Sequence, residues 1–169
     1  MKIRLEAIFI VVMVLALPLS SFGAEAVKLR LAATASVDSK GGGLKLPEGV
    51  GCGEGPSFIV ADTGNGRLLR FSFEENAIKG GEEFKLDQLS HPVRVQLGPG
   101  GEIFVLDGMQ RRISHLSADA VFKGYVDPAG LPGSSAFVPR SFKIDSAGNV
   151  YILDIFSERV IVLDPAGNK

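Results

Sequence analysis

Three prolines, Pro47, Pro92 and Pro139, recur 45 and 47 residues apart. Each is followed fifteen residues later by an aspartate (Asp62, Asp107, Asp154) and five residues after that by an arginine (Arg67, Arg112, Arg159). Apolar positions keep the same register. Val50, Val95 and Phe142 stand three residues after the proline, Cys52, Leu97 and Ile144 five, and Ile59, Phe104 and Tyr151 twelve. A period of this length describes one supersecondary unit used repeatedly. No single unit can bury its apolar face alone, so neighbours must stack on one another.

Inside each unit the side-chain alternation and turn residues divide the chain into short strands. The first strand alternates, as in VRVQL (93–97) and SFKID (141–145). A Gly-rich turn follows at 98–101, with SAGN (146–149) in its place in the third unit. The second strand is a continuous apolar run, FIVA (58–61), IFVL (103–106) and VYIL (150–153), which suits burial on both faces. After the Asp-to-Arg hinge comes a third strand, RLLRFSF (67–73), RRISHLS (111–117) and RVIVLD (159–164). A poorer fourth strand reads at 82–86 and 121–126. Four short antiparallel strands per period predict an all-β fold of β-propeller blades, three of them in this chain.

The segments IVADTGNGRLLRF and GNVYILDIFSERVIVLD resemble NHL repeats. The resemblance covers three consecutive units, about 46–90, 91–137 and 138–169. It implies a six-bladed, TolB-like propeller, of which this chain is the N-terminal portion. Propellers have typically 4–8 blades. The strand-like stretch 27–36, within the segment 27–45, lacks a repeat of its own and is expected to close the last blade. The partner blades are then expected from a C-terminal half. A natural half-propeller that dimerises is the alternative.

The chain opens with a different kind of segment. Lys2 and Arg4 precede the apolar run 7–19, and small residues follow up to Ala26. Residues 1–26 therefore read as a secretory signal peptide, with cleavage after Ala26 or, as a close rival, after Gly23. The run is short for a membrane helix, which needs about 20 residues. The expectation is an exported protein, periplasmic or extracellular, without stable membrane insertion after cleavage. The net charge of −1 supplies no basic field for nucleic acid. One cysteine, Cys52, permits no internal disulfide and falls where Leu97 and Ile144 fall, so it reads as a small core residue.

The Asp–Arg hinges read as structural turn pairs. An Asp at a strand end accepts hydrogen bonds from turn N–H groups, and the Arg faces it across the hairpin. Their recurrence at one place in every unit argues against catalysis, which needs unlike residues converging. A His-based metal site usually wants three ligands, and the chain has only His91 and His115. No metal, cofactor or catalytic residue is assigned. By the family resemblance, the hinge loops share a face with the loops before each first strand, including 90–91 and 130–138. That face offers His91, Met109, Arg111, Ile155 and Phe156 as candidate binding residues. Ile155 and Phe156 could instead fold against the neighbouring blade. The leading functional reading is an exported binding or scaffold module for a protein, peptide or glycan. The alternative is a propeller enzyme, a lyase or lactonase-like hydrolase, with catalytic residues partly in the C-terminal half.

Overall fold

The computed structural model describes residues 26–127 and 137–165. The signal segment 1–26, apart from Ala26, and most of the loop 130–138 lie outside the described residues. Eleven strands are described. β1 (Pro47–Cys52), β2 (Ser57–Asp62), β3 (Arg67–Glu74) and β4 (Ala77–Phe84) form one antiparallel sheet in sequential order. β5 (Pro92–Leu97), β6 (Ile103–Asp107), β7 (Arg112–Leu116) and β8 (Phe122–Val126) form the second. β9 (Pro139–Ile144), β10 (Val150–Asp154) and β11 (Arg159–Leu163) form the third, which has three strands among the described residues. Each sheet is one blade of a β-propeller.

The repeat register has a direct structural meaning. Proline, aspartate and arginine lie in one row across the first three strands. Pro47 stands opposite Asp62 and Asp62 opposite Arg67. The same holds for Pro92, Asp107 and Arg112, and for Pro139, Asp154 and Arg159. Each proline sits at the start of its strand, where its missing N–H costs no ladder bond. A register shift immediately follows it in the first two blades, and lies opposite it in the third.

Alternation along β2 and β3, and their equivalents, gives every blade two apolar faces. One faces the preceding blade and the other the following blade. Ile59, Ala61 and Leu68 of the first blade pack on Val95, Ile103, Val105 and Leu116 of the second. Phe104, Leu106 and Ile113 of the second pack on Phe142, Val150, Ile152, Ile161 and Leu163 of the third. The second strand of the middle blade, β6, is buried at every position because it is covered on both sides. Gly49 and Gly51 let β1 approach β5 closely. A Cβ at Gly51 would stand 2.8 Å from the carbonyl oxygen of Val95, too near without a backbone shift.

Two faces remain uncovered among the described residues. Val50 is 65% exposed although its equivalents Val95 and Phe142 are 2% and 3% exposed. Tyr151, Leu153 and Val160 are exposed, whereas their equivalents Phe104, Leu106 and Ile113 are buried. The same cause overturns the core reading of Cys52, which is exposed. Leu97 and Ile144 are partly buried against a preceding blade, and no described blade precedes the first.

Residues 27–36 form no strand. The Leu44 N–H donates to the Ser36 carbonyl at 3.0 Å. Just after them, Val37 and Gly43 form an isolated bridge, and the Ser39 N–H donates to the Gly81 carbonyl. Asp38 closes this small turn by accepting from the N–H groups of Lys40 and Gly42, 2.8 Å each.

Candidate functional site

The three hinge aspartates are fully or almost fully buried. Each carboxylate ties its own hinge to the loop before its blade's first strand. Asp62 accepts from the Lys45 N–H at 2.6 Å, from Asn65 Nδ2 at 2.8 Å and from Arg67 Nε at 2.7 Å. Asp154 accepts from the N–H groups of Val138 and Phe156 and from Arg159 Nε, at 3.0, 3.2 and 3.1 Å. Asp107 accepts from the N–H groups of Ser90, His91, Met109 and Gln110 at 2.7–2.9 Å, and from the Ser90 hydroxyl. Burial opposes ionisation of all three, but the converging donors outweigh it and hold each carboxyl below its ordinary range.

The second blade departs from the expected pairing. Arg112 does not reach Asp107. An ionised carboxylate has about four lone-pair sites, and four backbone N–H groups already occupy those of Asp107. The Arg112 guanidinium lies instead over the Tyr125 ring, 3.7 Å from its centre. Arg67 does more than the pattern foretells. Besides Asp62 it bonds Asp38 at 2.7 Å and Glu83 at 2.9 Å, so its guanidinium is held firmly charged. Asp38 carried no periodic signal, and nothing in the sequence marked it as Arg67's partner.

The Asp107 clamp brings the second hinge beside the loop at 90–91, and the third hinge lies next to them. His91, Met109, Arg111 and Ile155 line one cleft of about 460 Å³ between blades two and three. Phe156 is not in its wall, but is exposed on the same hinge as Ile155. Ile155 is 50% and Phe156 64% exposed among the described residues. The cleft also contains Arg94, Arg140 and Glu48, which sequence reasoning did not select. Arg94 and Arg140 sit two and one residues after their prolines, positions without a shared residue type in the repeat. Arg94 donates to the carbonyls of Glu48 and Val93.

Arg111 has a left-handed backbone, φ 55°. The equivalent residues are Gly66, φ 63°, and Glu158, φ 50°. The hinge geometry therefore demands this conformation in all three blades, and only the first supplies the residue that adopts it freely.

A second cleft of about 420 Å³ lies at the other end of the same two blades, lined by Glu102, Phe104, His115 and Tyr125 among others. Two of its lining residues, Glu102 and His115, satisfy each other. Glu102 bonds both His115 Nε2, at 3.0 Å, and Lys123 Nζ. His115 also stacks on Phe104 at 4.3 Å. This His is a structural member of its strand. Among the described residues no three His, Cys, Asp or Glu converge on one point.

No family model and no curated protein matches the sequence. Solved structures do match in fold. A structure titled streptogramin B lyase superposes with a TM-score of 0.54 at 16% identity, over 72% of this chain and 38% of that one. A catalytically inactive virginiamycin B lyase from Staphylococcus aureus with quinupristin gives 0.53 at 13% identity, over 72% and 39%. YCF48 bound to D1 peptide gives 0.54 at 9% identity, over 76% and 39%. The chain spans less than two fifths of the length of these structures. At such identities the likeness shows a shared fold, the β-propeller, and three of its blades are what this sequence encodes.

Proposed function

We propose that this chain forms the ligand-holding part of an exported propeller module, which binds a protein, peptide or glycan in the cleft between blades two and three. The observation that carries the reading is the convergence of His91, Met109, Arg111 and Ile155, drawn from separate loops, on one open cleft. Exposed Met and Ile side chains at its mouth provide apolar contact. The walls are rigid because Asp107 fixes one loop and Asp154 the next through buried hydrogen bonds. A site built on a clamped scaffold loses little freedom on binding. The streptogramin lyases and the peptide-bound YCF48 are consistent with the fold serving as a holder of such molecules.

The export element of this proposal rests on the leader-like residues 1–26. N-terminal sequencing of the secreted protein should begin near Glu25 or Val27. Binding is tested by screening the full chain against peptide and glycan arrays, alongside Met109→Ser and Ile155→Ser. Loss of the captured ligands in both variants, with unchanged melting curves, supports the reading. Capture that survives both substitutions would remove the cleft from consideration.

A further inference from the structure

Charge is distributed unevenly in this cleft. Three arginines, Arg94, Arg111 and Arg140, line it together with one acidic residue, Glu48. The chain as a whole carries a net charge of −1, so this is a local inversion of sign. Arg94 is anchored to two backbone carbonyls. Arg111 and Arg140 have no hydrogen-bond or ion-pair partner among the described residues. Elsewhere the arginines on the blade ends are engaged: Arg67 by three carboxylates, Arg112 by Tyr125 and Arg159 by Asp154.

Arg111 also occupies its position against a backbone preference. A residue with a Cβ in the left-handed region is strained relative to glycine. Glu158 tolerates the same strain without lining the cleft, so strain alone marks no site. Arg111 differs because it lines the same concave surface as two further arginines. Like charges gathered without partners repel one another, and an arriving anion relieves that repulsion. A guanidinium offers paired N–H donors that match a carboxylate's two oxygens.

Resting on the reading of this cleft as the binding site, we infer that its ligand is an acidic peptide. A side-chain or terminal carboxylate would meet Arg111 and Arg140, and a neighbouring apolar side chain would lie on Met109 and Ile155. The apolar part of the wall favours a peptide over a glycan. Met109, Ile155, Val93 and Leu106 are aliphatic or thioether side chains suited to another side chain. Sugar rings favour aromatic platforms, and among the lining residues His91 is the only ring besides Pro139.

The test uses a fluorescein-labelled heptapeptide of alternating Leu and Glu, the same peptide with Gln for Glu, and heparin. Binding to the full chain is followed by fluorescence polarisation at low and high salt. The Glu peptide should bind, weaken with salt, and exceed the Gln peptide in affinity. Arg111→Gly and Arg140→Gln should each weaken it about tenfold, the scale of one lost charge-assisted hydrogen bond. Arg111→Gly removes backbone strain, so its melting temperature should equal or exceed that of the parent, which separates binding from folding. Equal affinity for the Glu and Gln peptides, with loss only in Met109→Ser and Ile155→Ser, would overturn the acidic ligand while leaving the cleft as the site. Indifference of every peptide to all four substitutions would overturn both. Heparin binding in place of peptide binding, lost in the arginine variants, would overturn the peptide in favour of an anionic glycan.

Discussion

The aspartate at each hinge is a buried charge that accepts at least one backbone N–H from the loop before its blade's first strand. In the second blade its partners are entirely backbone N–H groups and one hydroxyl. Removing such an acceptor strands its donors, at a cost of about 1–3 kcal/mol for each group left unsatisfied and dry. Asp107→Ala should therefore destabilise the protein by about 3 kcal/mol or more even though it breaks no ion pair. The arginines should separate sharply. Arg67→Ala removes the bridge between Asp38, Asp62 and Glu83 and leaves Asp62 buried without its guanidinium, at a cost of about 3–5 kcal/mol. Arg112→Ala removes a contact with an aromatic ring at an exposed site, worth about 0.5–1 kcal/mol. Urea melts of the three variants measure this, and equal losses for Arg67→Ala and Arg112→Ala would show the hinges to be equivalent after all. The periodicity announced these residues, but not this difference between them. Whether a carboxylate is saturated by backbone donors depends on how the preceding loop folds over it, and the residues of that loop, Lys45, Ser90 with His91, and Val138, share no type.

At the scale of the strand, the apolar pattern locates the second strand of every blade. The apolar runs at 58–61, 103–106 and 150–153 all lie within β2, β6 and β10. The reading fails where an apolar residue belongs to a face with no neighbour. Cys52 and Val50 have the right register and the wrong surroundings, and 27–36 has strand character but forms no strand. The cleft was half legible for a similar reason. Met109, Arg111 and Ile155 stand out as hinge residues, while Arg94 and Arg140 lie at strand starts that only the packing of adjacent blades brings near them. What joins strand to strand at this end of each blade is titratable. The folded-state values of Asp62, Asp107 and Asp154 lie below the ordinary value. A depressed carboxyl contributes stability above its unfolded value, about 3.9, and loses it as pH falls through the folded value. Asp38, held low chiefly by the Gly42 N–H and by Arg67, acts in the same direction. Thermal melts should be flat between about pH 5 and 7 and should fall steeply below about pH 4. A melting temperature that held steady down to about pH 3 would mean that the clamps contribute little.

For the molecule as a whole, the governing fact is that the face of one blade fits the opposite face of the next. The third blade offers Tyr151, Leu153, Val160 and Val162, and the first blade offers Val50 with the partly buried Phe58 and Val60. Exposed apolar surface of this extent on sheet faces drives association. The 169-residue chain should sediment as more than a monomer at micromolar concentration, and Leu153→Asp with Val160→Asp should return it towards monomer. A monodisperse monomer of the parent chain in the ultracentrifuge would count against this. The fit has a further property. Each face complements the other and not itself, so two copies cannot meet about a two-fold axis through a single contact. They must join head to tail, and head-to-tail joining either comes round to its starting point or continues as a fibre. Which of these happens is a matter of the angle between successive blades. That angle is set where the inner strands come nearest, at Gly49 and Gly51 against β5. A methyl group at Gly51 would prise β1 from β5 and alter the curvature. A single hydrogen-for-methyl exchange at Gly51, outside the proposed cleft, would then bear on whether joined copies close into a ring or run on as a fibre.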